Sequence, residues 1–229
     1  MYQNEFLAEK LALRGGTALH KLYFHPARRY SEDIDLVQAE PVPIGETLDI
    51  LQDTLNDFLG KPRRSQKENS VTLIYRMDSE GPPVVPLRLK VEINTREHFA
   101  VLGFIKQPFK VVSRWFKGEC MITTFQLEEL LATKVRALYQ RRKGRDLFDL
   151  WYGIKEKGAD TASIVKIFNE YMRAEGHRIS VDDFRGNLET KVGHSGFVED
   201  VVSLLAGNVN YDVKEAFNLI MEEIATRIA

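Results

Sequence analysis

Two aspartates, Asp33 and Asp35, are separated by one residue in the segment DIDLV. The alternation with Ile34 and Leu36 predicts a strand on which both carboxylates project from the same face. Two carboxylates this close repel each other, and a divalent cation that prefers oxygen ligands, Mg²⁺ or Mn²⁺, relieves the repulsion. A solvated acidic strand is the alternative, and the pair alone does not decide between them.

Glu92 lies in a second segment with strand periodicity, PLRLKVEINT. There the apolar side chains of Leu87, Leu89, Val91 and Ile93 alternate with polar ones, which predicts a half-buried strand with Glu92 on its polar face. A third carboxylate on a neighbouring strand would complete a two-metal site. Glu92 is therefore a candidate metal ligand.

Gly15 and Gly16 precede a predicted helix from residue 18 to about residue 24, for which Thr17 is the expected N-cap. Glycines let backbone amides approach phosphate oxygens, so the turn is a candidate phosphate seat. A plain turn before a capped helix is the alternative. Arg29 and Ser31, just ahead of the acidic pair, are candidate phosphate contacts or turn residues.

Lys134 interrupts the apolar stripe of the predicted helix LEELLATKVRAL. A lysine in that position snorkels, pairs with a buried acid, or directs its charge at an anionic ligand such as a triphosphate. Downstream, Asp146 and Asp149 are three residues apart on one predicted helix face, and Asp146 is also placed to act as an N-cap. The basic segments around residues 61–64 and 141–145 are either solvated or contacts for a phosphate backbone.

Length and composition favour an ordinary globular protein of 229 residues with 44% hydrophobic content and a net charge of −1. The single cysteine excludes an internal disulfide and fits a reducing cytoplasm. No apolar stretch approaches the length of a membrane span, and the charges near the N-terminus argue against an export signal. We expect an α+β chain with a mixed α/β module over residues 1–122 and a helical domain over residues 123–229.

Five segments together resemble the nucleotidyltransferase-like AbiEii/AbiGii toxin family, a branch of the polymerase-beta-type nucleotidyltransferase superfamily. They are LRGGTALHK, RYSEDIDL, LKVEIN, LEELLATKVRAL and RRKGRDLFDLW. The resemblance extends from about residue 11 to residue 152. It implies a nucleotidyltransferase-like mixed sheet with helices, followed by a helical domain.

The resemblance also implies residue roles. In the first module Gly15, Gly16 and Thr17 match the motif that holds the nucleotide phosphates, and Asp33 and Asp35 match the metal-binding acids.

In the second module Lys134 and Asp146 match two helical motifs that contribute to the site. Arg145 and Asp149 fall in the second of these motifs, with less specific roles. Glu92 stands where the superfamily has its third acid.

The implied activity is transfer of a nucleoside monophosphate from an NTP to an acceptor hydroxyl, with the 3′ end of tRNA as the leading acceptor. The resemblance also implies that the protein is the toxin of a bacterial toxin–antitoxin or phage-defence pair and has a cognate antitoxin. It implies a cytoplasmic location and no membrane partner. Two alternatives are a catalytically inactive nucleotide- or RNA-binding protein of the same fold and a metal-dependent nuclease using the same carboxylates.

Overall fold

A computed structural model describes residues 1–207 and 209–228 and divides the chain into two compact units. The first unit comprises Met1–Ala18 and Glu32–Phe125, and the second comprises Leu19–Ser31 and the chain from Gln126 onward. The predicted α+β class, with a mixed sheet followed by helices, is confirmed.

The first unit contains a seven-stranded sheet of order β3-β4-β5-β2-β1-β7-β6. Its strands are β1 Leu11–Arg14, β2 Asp33–Gln38, β3 Arg63–Lys67, β4 Ser70–Asp78, β5 Pro86–Asn94, β6 Ile105–Val112 and β7 Lys117–Thr124. The β2–β5 and β1–β7 pairs are parallel, and the other pairs are antiparallel. The acidic strand β2 therefore lies inside the sheet, between β5 and β1.

One face of β4, β5 and β2 is apolar, because their alternate residues are buried hydrophobic side chains, including Leu36, Val71, Leu73, Val91 and Ile93. The unit's helices are α1 Glu5–Lys10, α2 Gly15–Ala18 and α3 Gly45–Leu59. Helix α3 packs against β4 and α1 and buries Leu48 and Leu51. The helical spacing of Leu48, Leu51, Leu55 and Phe58 predicts a helix over residues 45–59 that stops at Gly60, and α3 has these bounds. The φ of Gly60 is 75°, which suits glycine.

The opposite face of β2, β5, β4 and β3 carries polar residues, and we call it the polar sheet face. Strand register arranges its side chains in rows that cross the four strands. One row contains Asp33, Lys90, Ile74 and Arg63, and the next contains Asp35, Glu92, Thr72 and Ser65. The predicted alternation in DIDLV and LRLKVEIN is thus confirmed.

The second unit is helical. Its elements are a π-helix Leu19–Tyr23, α4 Leu127–Gln140, α5 Gly144–Lys155, α6 Thr161–Ala174, α7 Val181–Val192, α8 Ser195–Val202, α9 Val213–Glu223 and a 3₁₀ helix Ala225–Arg227. Within this unit α5 packs against α4, α8 and α9. Apolar periodicity predicts helices over residues 125–141, 146–157, 160–173, 197–206 and 213–228, and the structure has a helix in each of these ranges. It does not predict α7, because the sequence of α7 is mostly polar. No helix among the described residues is both long and apolar enough to cross a bilayer.

Two local predictions are wrong. The polar, basic composition of KPRRSQKENS predicts a loop, but residues 63–67 form the edge strand β3. This strand is exposed throughout and so needs no apolar alternation. The helix expected from residue 18, with Thr17 as its cap, instead begins at Gly15 and gives way to a π-helix at Leu19.

Candidate active site

The glycine turn contacts the acidic strand within the first unit. Gly15 has a φ of +72°, a conformation that favours glycine, and a Cβ added there would lie 2.5 Å from Oδ2 of Asp35. Any larger residue would be strained and would displace the carboxylate. The sequence therefore requires glycine at position 15 because the backbone passes directly beside Asp35.

Thr17 fixes the same turn to the start of β2. Its hydroxyl donates a hydrogen bond to the backbone carbonyl oxygen of Asp33, at 2.5 Å. The glycine turn therefore lies against both acids, because Thr17 bonds to the backbone of Asp33 and Gly15 lies beside Asp35. The role of Thr17 as a helix cap, expected from the sequence, is replaced by this bond.

The acidic pair has two charged neighbours on the polar sheet face. Register places Lys90 beside Asp33 and Glu92 beside Asp35. The Nζ of Lys90 lies 3.7 Å from Asp33 Oδ2 and forms a salt bridge with Glu92. Burial alone would lower the pKa of Lys90, but Glu92, Asp33 and Asp35 together raise it above its usual value. Lys90 is therefore a protonated cation among three carboxylates.

The chemistry of the acidic pair suits a hard divalent cation. The Asp33 side chain is 43% exposed, and both aspartates offer carboxylate oxygens, the ligands that Mg²⁺ prefers. Within residues 1–207 and 209–228, no three His, Cys, Asp or Glu side chains are grouped so as to hold a metal ion. Asp33 and Asp35 fit the predicted metal, whereas the carboxylate of Glu92 contacts Lys90. A metal-binding role for Glu92 stays a prediction.

Lys134, in the second unit, is buried and paired with two acids. Its Nζ lies 2.9 Å from Asp146 Oδ1 and 2.9 Å from Asp149 Oδ2. Of the alternatives raised by its position in an apolar stripe, pairing with buried acids is the one observed. A contact between Lys134 and a nucleotide stays a prediction.

Asp149 is the centre of this group. Arg29 donates two hydrogen bonds to its carboxylate, at 2.7 and 2.6 Å, and Nε2 of His20 lies 3.0 Å from Oδ1. We call His20, Arg29, Lys134, Asp146 and Asp149 the buried ion cluster. All five side chains are at least nine-tenths buried, so Arg29 is engaged within the second unit rather than exposed for a phosphate.

The charges in the buried ion cluster shift one another's pKa values. Burial would raise the pKa of Asp149, but Arg29 and Lys134 hold it well below its usual range. The pKa of Asp146 is lowered too, because Lys134 and then Arg141 outweigh its burial. Burial lowers the pKa of His20, although its bond to Asp149 opposes this. Both acids are therefore ionised at neutral pH.

Three further predictions concern Asp146 as a helix cap and the positions of Arg145 and Ser31. Asp146 is inside α5 rather than its N-cap, which is Lys143. The Arg141 side chain donates to both oxygens of Asp146, at 2.7 and 2.9 Å. Arg145 pairs with Asp200 at 3.6 Å, and Ser31 is exposed.

Two residues of these groups were not recognised in the sequence. Lys90 shares a strand face with Glu92, so the alternation that identified Glu92 could also have identified Lys90. His20 had no such signal, because its partner Asp149 is 129 residues away along the chain.

The mixed sheet and the glycine turn beside an Asp-x-Asp strand define a protein of the nucleotidyltransferase class. The chain belongs to the AbiEii nucleotidyltransferase toxin family of type IV toxin–antitoxin systems, whose family model matches residues 1–219. The predicted family is thereby confirmed, and the protein is a nucleotidyltransferase. Membership of this family implies a cognate antitoxin as a partner.

Solved structures share the fold at low sequence identity. MenT4, a nucleotidyltransferase toxin from Mycobacterium tuberculosis, has a TM-score of 0.63 and 15% identity, over 96% of this chain and 76% of that one. JHP933 from Helicobacter pylori has a TM-score of 0.56 and 16% identity, over 99% and 90%. A putative nucleotidyltransferase from H. pylori has a TM-score of 0.54 and 18% identity, over 96% and 86%. No curated protein matches significantly.

Proposed function

We propose that the protein transfers a nucleoside monophosphate from an NTP to the 3′ hydroxyl of an RNA, with tRNA as the leading acceptor. The main support for this proposal is the close approach of Gly15 to Asp35. Because Gly15 and Gly16 lack side chains, their backbone lies directly beside an accessible pair of carboxylates. Backbone amides of glycines can approach phosphate oxygens closely, so the turn would seat a triphosphate beside the acids. The acids suit the divalent cation that accompanies an NTP.

Asp33 and Asp35 would hold Mg²⁺ or Mn²⁺. The bound ion supplies charge neutralisation and fixes the geometry of the phosphates. Gly15 and Gly16 let the triphosphate approach the backbone, and Thr17 keeps that turn against β2 through its bond to Asp33. Lys90 holds positive charge among the carboxylates before nucleotide binds.

The reaction is an in-line displacement. The acceptor hydroxyl oxygen forms a bond to the α-phosphorus, and its proton passes to solvent. The bond between the α-phosphorus and the oxygen that bridges it to the β-phosphorus breaks. Pyrophosphate leaves. Rate enhancement comes from positioning and charge neutralisation rather than from a covalent intermediate with the protein. The family resemblance also gives Lys134 and Asp146 a part in transfer.

The substrates proposed here are cytoplasmic, so the proposal assigns the protein to the cytoplasm. It also assigns a part in phage defence, as the toxin of an antitoxin pair. Induced expression would arrest growth, and co-expression of the neighbouring antitoxin gene would restore it. Growth arrest that persists unchanged in an Asp33→Ala variant would separate toxicity from nucleotide transfer.

The deciding experiment incubates the protein with each α-labelled NTP, Mg²⁺ and total cellular RNA, and resolves the products by length. Wild type should lengthen and label one RNA class. Asp33→Ala should lose the labelling, and Asp53→Ala, an exposed acid on α3, should keep it. Shortened RNA would identify a nuclease instead. NTP binding without any product would identify an inactive binding protein.

A further inference from the structure

Basic residues continue the polar sheet face beyond the carboxylates. Arg63, on the edge strand β3, lies in the same row as Asp33, with Lys90 and Ile74 between them. Three interstrand spacings separate the ends of this row, a distance of about 14 Å. Lys67 lies on the same face of β3, since side chains four residues apart on a strand point the same way.

Two arginines extend the same face along the strands. Arg76 on β4 is directly opposite Arg88 on β5, in the row next to the one that contains Asp33. Like charges directly opposite each other destabilise a sheet, so repulsion between these two arginines lowers the stability of the fold. Both side chains are exposed. An anion bound between them would remove the repulsion.

On the polar sheet face of β3, β4 and β5, basic side chains outnumber acidic ones. Among the described residues, Arg63, Lys67, Arg76 and Arg88 form no salt bridge. The acids on this side of the three strands are Glu92, which pairs with Lys90, and Asp78 at the end of β4. The region beside the acidic pair is therefore open, positively charged, and suited to a polyanion.

We propose that the polar sheet face is the path of the acceptor RNA strand. Phosphates of the strand contact Arg63, Lys67 and the Arg76–Arg88 pair, and its 3′ end reaches Asp33. This inference rests on the proposed function, because it gives the acceptor of that reaction its binding surface. The positive charges of these side chains and their spacing fit the phosphates of a nucleic acid.

The chain supplies a matched control on the same strand. Arg64 is one residue from Arg63, is also exposed, and points to the opposite face because strand side chains alternate. Arg63→Glu and Arg64→Glu therefore make the same charge change on the two faces of β3. A general electrostatic attraction for RNA would be weakened equally by both.

The test measures binding of a fluorescein-labelled tRNA transcript to the full-length protein by anisotropy, without NTP. We expect Arg63→Glu to weaken binding about tenfold in roughly 0.1 M salt, whereas Arg64→Glu changes it less than about twofold. In Arg63→Gln/Lys67→Gln, the slope of log affinity against log salt should fall in magnitude by about 1.4, the value for two phosphate contacts to a single strand. Melting temperature and NTP binding by calorimetry check that each variant is folded.

Equal losses from Arg63→Glu and Arg64→Glu, or no loss from either, would overturn the path. So would a wild-type protein that binds no tRNA transcript, even if it transfers nucleotides to another acceptor. That last result leaves the transferase proposal standing. Transfer that survives Asp33→Ala would overturn the transferase proposal, whatever the binding data show.

Discussion

The carboxylates of the polar sheet face and those of the buried ion cluster differ most in their access to solvent. Asp33 is 43% exposed, whereas Asp146 and Asp149 are fully buried. A ligand can reach the first group directly. The second group is engaged by protein cations on every side. The acids of the first unit are thus placed to bind a ligand, whereas those of the second unit neutralise buried cations.

The energetics of the two groups differ for the same reason. Exposed ion pairs contribute little to stability, because water screens them. Removing one partner of a buried pair leaves a charge without compensation, and that is costly even where the intact pair adds little. Variants in the buried ion cluster should therefore change stability, and variants on the polar sheet face should change activity.

The largest effect is expected from Asp149→Ala, which leaves the buried charge of Arg29 uncompensated and leaves Lys134 with only one of its two acids, Asp146. We expect a loss of about 3–5 kcal/mol in the free energy of unfolding, measured by urea titration. Asp35→Asn, on the polar sheet face, should change it by less than about 0.5 kcal/mol. Similar stability losses in both variants would contradict the contrast between the two regions.

Acid should weaken the buried ion cluster in two steps. The pKa of His20 is lowered from 6.5, so below that pH the unfolded chain binds a proton that the folded protein does not, and stability falls. Asp146 and Asp149 have pKa values below 3.8, so their contribution is present above that pH and is lost as pH falls through the folded values. The slope from one group is at most about 1.4 kcal/mol per pH unit.

Urea titrations from about pH 7 down to about pH 2 measure this dependence. His20→Gln should remove the upper step and leave the lower one. An upper step of unchanged size in that variant would show that another group causes it.

A smaller effect is expected from Gly15→Ala, through strain at φ +72° and contact with Asp35. Strain of this kind costs about 1–2 kcal/mol. Gly60→Ala is the control for strain without a carboxylate neighbour, because Gly60 also has a positive φ, of +75°, and nothing within 4 Å of an added Cβ. Both variants should lose stability, but only Gly15→Ala should lose nucleotide transfer. Equal transfer by both would mean that the Asp35 contact has no part in activity.

The smallest effect is expected from Lys90→Gln, which removes a partly exposed cation. The free energy of unfolding should change by less than about 1 kcal/mol. Mn²⁺ affinity measured by calorimetry should increase, because Lys90 no longer competes for the carboxylates. Weaker Mn²⁺ binding in Lys90→Gln would show that Lys90 supports the metal site rather than competing with it.

The features that could be predicted from the sequence depend on short-range periodicity. Alternation in DIDLV and LRLKVEIN identified the polar side chains of β2 and β5, and an apolar stripe made Lys134 conspicuous. The fold class followed from the order of such segments. These signals are local because a side chain's direction on a strand or helix depends on position within that element.

The features that could not be predicted depend on pairing between distant segments. Arg29 and Asp149 are 120 residues apart, and nothing in either segment specifies the other. The row that joins Arg63 to Asp33 exists only once the register of four strands is known. Strand β3 itself lacks apolar alternation, since an exposed edge strand buries neither of its faces.

The sheet ends in two edge strands, β3 and β6, and this has a consequence for self-association. An edge strand presents unpaired backbone groups onto which a strand of another molecule can add. Strand β3 carries Arg63, Arg64 and Lys67, while β6 carries exposed lysines and Pro108, which lacks an N–H donor. Charge on one edge and charge with proline on the other oppose aggregation, so the sheet that bears the acidic pair resists polymerising with its own copies.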